Sequence, residues 1–155
     1  MKINSVIMVL IQVIRWGAVP AILLILTVED IRKMSVKGSM LLLGAFLLLA
    51  AGGFSEPALW ERIGGMLVGG GIVILSFLTK EAIGMADALL FIAYGTAFGI
   101  WSLLLLGLFS FGAAAIWSGA MLATKKVGRK GRVPFLPFFT FGYLVLLHIR
   151  YFGLA

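Results

Sequence analysis

Six apolar stretches, separated by short polar or glycine-bearing segments, take up nearly the whole chain. They cover about residues 5–29, 39–54, 63–78, 87–98, 101–124 and 134–147. A helix needs about 20 apolar residues to cross the hydrocarbon core of a bilayer. Read as helices, the runs predict an all-α, polytopic integral membrane protein with about six transmembrane helices in a single domain, 1–155. The first run holds Arg15 and Pro20. Arg15, beside Trp16, is expected to snorkel towards the outer interface. The run lacks a small-x-small cleavage site and is read as a retained first span rather than a leader. The fourth and fifth runs are divided at Gly99-Ile100-Trp101-Ser102. Gly65 and Gly69, and again Gly95 and Gly99, have the small-xxx-small spacing that lets helices approach closely in lipid.

Composition narrows the class. Of 155 residues, 62% are hydrophobic and 12% charged, which is more apolar surface than a soluble domain of this size can bury. There is no cysteine, so disulfides and thiolate metal sites are excluded. The net charge of +7 does not indicate nucleic acid, because most basic residues lie between apolar runs, where they set topology. If the segments after runs one, three and five face the cytoplasm, they hold Arg32, Lys33, Lys37, Lys80, Lys125, Lys126, Arg129, Lys130 and Arg132. That is nine of the thirteen Lys and Arg residues, leaving Lys2, Arg15, Arg62 and Arg150 on the other side. Anionic lipid headgroups are a secondary partner for these basic segments.

Acids are scarce: Glu29, Asp30, Glu56, Glu61, Glu81 and Asp87. An ionised Asp deep in a bilayer costs roughly 2.5–3.5 kcal/mol on insertion scales. Asp30 and Asp87 each stand where an apolar run meets a short basic or glycine-bearing segment, and the topology above brings both to the cytoplasmic face. Two close carboxyls cannot both ionise, so one can deprotonate a water while the other protonates a departing amide nitrogen. Asp87, after a glycine-containing segment, can equally be a helix cap. Glu29 and Glu81 read as interfacial acids and His148 as an exposed terminal residue.

These segments resemble the type IV prepilin peptidase family, a branch of the GxGD-type intramembrane aspartyl proteases. Asp30, Arg32 and Val36 match its first aspartate, the basic segment after it and the apolar residue six positions on. Gly84, Asp87, Gly95 and Gly99 match its Gly-x-Gly-Asp motif and the glycine-spaced helix that follows. Val133-Pro134-Phe135-Leu136-Pro137-Phe138 is similar to the Pro-Phe-Gly-Pro-Phe segment of its last helix. Ala86 replaces the motif's second glycine, Leu89 its usual lysine, and Leu136 the glycine between the prolines.

The resemblance implies a transmembrane peptidase domain with Asp30 and Asp87 catalytic. Arg32, Gly84, Ala86, Pro134 and Pro137 would shape the site or bind substrate. It further implies an aspartic endopeptidase in the inner (cytoplasmic) membrane, active site facing the cytoplasm. Its partners are the bilayer and prepilin-like substrates bearing a short basic leader before a hydrophobic helix, in type IV pilus assembly or protein secretion. No cofactor or metal is called for. Without paired cysteines, no methyltransferase activity is expected beside the protease. The alternative from another class is a non-catalytic membrane protein, either an inactive prepilin-binding relative or a small transporter subunit. A transporter would place polar residues near the midplane of several spans, whereas these acids cluster at one face.

Overall fold

A computed structural model describes residues 2–52, 57–78, 84–124 and 134–151. The expectations for Glu56, Lys80, Glu81 and the basic stretch 125–132 fall outside them. Helix α1 (Lys2–Val13) passes through a five-residue π turn (Ile14–Ala18) into α2 (Val19–Lys33). Then follow α3 (Gly38–Gly52), α4 (Leu59–Leu78), α5 (Met85–Ala123) and α6 (Leu136–Tyr151). The described residues thus form five helical stretches, one of them interrupted at Gly99, where the hydropathy pattern predicts about six runs. Val6–Lys33, Leu59–Leu78 and Met85–Ala123 are each long and apolar enough to cross a membrane, and Gly38–Gly52 and Leu136–Arg150 are shorter apolar helices.

The difference from six lies at Gly99, where φ is 84° and ψ 170° inside α5. Only glycine populates that region readily. The rings of Phe91 and Phe111 stack with centroids 5.4 Å apart. Twenty residues of straight helix would separate them by about 30 Å. A Cβ placed at Gly95 would likewise stand 2.8 Å from Leu103 Cδ2. The chain therefore doubles back at Gly99, and α5 is a hairpin of two antiparallel arms, 85–98 and 100–123.

Glycine also sets how closely the rods pack. On α4, Gly65 lies against the backbone of Gly95, and a Cβ at Gly69 would stand 2.5 Å from Ile92 Cα. These are backbone-to-backbone contacts between α4 and the first arm of α5, with no room for a methyl group. Around them Leu23, Leu26, Leu48, Leu90, Phe91, Leu106 and Phe139 form a fully buried core. Large apolar side chains on the outside, among them Phe46, Leu67, Phe77 and Ile116, are more than 65% exposed, as a lipid-facing surface requires.

Helices α2 and α6 run antiparallel along a hydrogen-bonded seam. Tyr143 Oη donates to Arg15 O at 3.1 Å. Thr140 Oγ1 donates to Leu23 O at 3.4 Å and lies 2.8 Å from Thr27 Oγ1. Leu136 N donates to Asp30 Oδ2 at 3.3 Å. These contacts place Asp30, Asp87 and the start of α6 at one end of the bundle, and Arg15, the Gly99 reversal and Arg150 at the other.

Arg15 lies at this far end of the bundle. It is half-buried, and its Nε donates to Ala51 O at 2.9 Å. Arg62 Nη2 donates to Gly52 O at 3.1 Å. Together they cap the carbonyls that the end of α3 leaves without intrahelical partners.

Candidate active site

Asp30 lies within the last turn of α2, three residues before the helix ends, not at the opening of a loop. The helix closes at Met34, which adopts a left-handed conformation (φ 50°) and donates its N–H to Asp30 O at 2.8 Å. Next to it, Glu29 organises the connection to α3: its carboxylate is 3.5 Å from Lys33 Nζ and accepts Lys37 N–H at 3.4 Å. Glu29 thus holds the chain that leaves the site, a role its position in the sequence does not reveal.

Asp87 stands in the first turn of α5, three residues after the N-cap Gly84. It is buried, 8% exposed. Gly84 has φ −57° and ψ 134°, which any residue can adopt. Its glycine answers to space instead. A Cβ at this position would stand 2.7 Å from Asp87 Oδ2, because the carboxylate folds back over the start of the helix.

The two carboxylates come from elements 57 positions apart in sequence and share one end of the bundle. The two are near enough for the charge of one to bear on the other. Asp30 is additionally held by the N-terminus of α6 through Leu136 N–H, and the Phe135 N–H also faces it. Unpartnered N–H groups at a helix start favour a carboxylate. The segment that carries Pro134 and Pro137 thus reaches the site by its backbone between the prolines. The aromatic side of that segment packs inward, with Phe135 5.0 Å from Phe111 and 6.0 Å from Phe91 between ring centroids.

The remaining sequence-predicted residues divide. Ala86 is helical, since the only non-glycine residue with positive φ among the described residues is Met34. Its half-buried methyl packs on the core. Arg32 is exposed on the last turn of α2. Pro137 faces an apolar groove between α6 and the second arm of α5, with Leu108, Ile116 and Trp117. Among the described residues no group of three His, Cys, Asp or Glu side chains is placed to hold a metal ion. The Leu136 N–H and the Thr27–Thr140 pair were not anticipated. The available signal was spacing: Thr27 and Asp30 at i, i+3 on α2, and Leu136, Thr140 and Tyr143 at i, i+4, i+7 on α6.

No curated protein and no solved structure matches this chain. A family model does, over residues 17–119, and its description is the type IV leader peptidase family. That match covers two thirds of the chain, from the π turn through both aspartates into the second arm of the hairpin, and this protein belongs to the type IV leader peptidase family.

Proposed function

We propose that this protein is an aspartic endopeptidase that removes the leader peptide from prepilin-like substrates at the cytoplasmic boundary of the membrane. The reading rests above all on one observation. Asp30 and Asp87, from different helices, both lie towards one end of a bundle otherwise poor in carboxylates.

In the proposed reaction one carboxylate of the pair is ionised and the other protonated, as like charges at short range dictate. The ionised one takes a proton from water as the water oxygen attacks the scissile carbonyl carbon. The protonated partner then gives its proton to the amide nitrogen as the C–N bond breaks. The helix N-terminus at Asp30 holds that carboxylate in place through the cycle. A substrate helix hides its carbonyls in its own hydrogen bonds, so the segment at the dyad must be extended. The natural place for that is the junction between a short basic leader and the hydrophobic helix after it.

The excess of basic residues in the segments after the first, third and fifth apolar runs of the sequence supports a cytoplasm-facing site in the inner membrane. The experiment is direct. The full chain, purified in detergent, is mixed with prepilin-like substrates and scored for leader removal by mobility shift. Loss of a leader-sized fragment, with the new N-terminus at the start of the hydrophobic helix, is the expected result. Intact substrate across several such proteins would favour a non-catalytic relative.

A further inference from the structure

Apolar packing alone does not fix how far α6 stands along α2. Leu23, Leu26 and Phe139 are fully buried there, and burial of apolar surface has no direction. Hydrogen bonds do have one, and they set the register of the seam. Leu136 N–H meets Asp30 Oδ2 at the aspartate end, Thr140 meets α2 in the middle, and Tyr143 Oη meets Arg15 O at the far end.

Thr140 is 3% exposed, so its hydroxyl must find partners inside the protein. Its Oγ1 donates to Leu23 O at 3.4 Å, and in the 2.8 Å contact with Thr27 Oγ1 the Thr27 hydroxyl is therefore the donor. One side chain of α6 thus grips α2 at two points a turn apart. Spacing carries this grip to the site. Thr140 follows Leu136 by four residues on α6, and Thr27 precedes Asp30 by three on α2. The clasp therefore stands about one helical turn, some 5 Å, from the Asp30–Leu136 bond on both helices. That bond is long, at 3.3 Å, and a slide of α6 away from Asp30 by one residue's rise, about 1.5 Å, would break it. The Leu136 N–H lies in the first turn of α6 and has no acceptor within its own helix.

We propose that Thr140 is a positioning residue of the acid pair. By clasping Leu23 and Thr27 it sets where α6 starts, and through the Leu136 N–H it sets where the Asp30 carboxylate stands. The proposal rests on the peptidase reading of Asp30, and Thr140 itself takes no part in the chemistry. Reacting groups displaced by as little as about 1 Å can cost about 10²-fold in rate, so a clasp one turn away can matter to catalysis.

The test uses the full chain in detergent and two readouts: kcat and KM for leader cleavage, and hydrogen exchange at the Leu136 amide followed by NMR. Asp30→Ala, which removes the acceptor, defines the unbonded limit of that exchange. Thr140→Val keeps the shape of the side chain and lets the Thr27 hydroxyl bond back to Leu23 O in its own helix, so no hydroxyl is left unpaired. It should speed Leu136 exchange by at least about tenfold. It should also lower kcat by at least about tenfold with KM nearly unchanged. Thr140→Ser restores the hydroxyl and should return both readouts towards the native values. Tyr143→Phe removes another hydrogen bond of the same seam, at the far end, and should move neither. If the native chain cleaves nothing, the peptidase reading fails, while fast Leu136 exchange in Thr140→Val would still support the clasp on Asp30. The proposal is overturned if Thr140→Val leaves Leu136 exchange, or the kcat of an active chain, at the native value. It is equally overturned if serine fails to rescue, or if Tyr143→Phe has as large an effect.

Discussion

Leu136 donates its backbone N–H to Asp30 Oδ2 at 3.3 Å, joining residues 106 positions apart. The last helix thereby starts on a carboxylate supplied by the second. Asp30 is at once the acceptor that this helix start needs and one member of the proposed acid pair, so the position of α6 and the placing of that carboxylate are coupled.

Gly84 and Gly65 should separate activity from stability. A methyl at 84 meets the end of a movable side chain, Asp87 Oδ2, whereas a methyl at 65 meets the backbone of Gly95. Gly84→Ala should therefore leave the thermal midpoint nearly unchanged while lowering leader cleavage by at least about tenfold, some 1.4 kcal/mol of barrier. Gly65→Ala should lower stability by about 1–3 kcal/mol, the usual cost of overpacking. Thermal denaturation and cleavage at matched protein levels check both.

Gly99 is the hinge of the α5 hairpin. Its φ of 84° with ψ of 170° belongs to glycine, and a Cβ there would also stand 3.1 Å from Pro57 Cβ. Gly99→Ala should cost about 1–3 kcal/mol. Gly107→Ala, in the second arm with only van der Waals neighbours at 3.7 Å and beyond, should be tolerated. The comparison is of melting midpoints in one detergent.

Ala86 replaces the second glycine of the family motif, and its helical backbone removes the strain that a positive φ would have imposed. The native protein should be active. Ala86→Gly should change the cleavage rate by no more than about tenfold, equivalent to about 1.4 kcal/mol. An inactive native chain rescued by glycine would mark this protein as a degenerate peptidase.

Topology is open to single-cysteine labelling because the chain has no cysteine. Ser35 and Ala58 are both exposed, Ser35 beside the aspartate end and Ala58 at the other. Ser35→Cys should react only from the cytoplasmic side and Ala58→Cys only from outside. The reverse pattern would contradict the orientation drawn from the basic residues.

Much of this was legible in the chain because lipid imposes a simple rule: apolar runs become helices and scarce acids stand out. Asp30 and Asp87 could be singled out on that ground. The punctuation at Gly99 was legible too, though its form was not. Hydropathy shows a gap between runs and cannot show that the chain doubles back there. The setting of Arg15 is not legible for a related reason. Its pull inward comes from Ala51 O, a carbonyl left open by the end of α3, and from the Phe98 ring. Neither demand is written near residue 15. The Leu136 N–H escaped notice because a backbone donor has no letter of its own in a sequence.

The central claim is that Asp30 and Asp87 act together as the acid pair. The most direct measurement is leader cleavage by Asp30→Asn and Asp87→Asn, each with membrane level and thermal midpoint matched to the native protein. Asn preserves shape and, at position 30, an oxygen able to accept the Leu136 N–H, but it cannot exchange a proton with water. Each variant should lose at least about 10²-fold in rate, the lower range for removing a general acid or base. Cleavage at the native rate by either one would contradict the account.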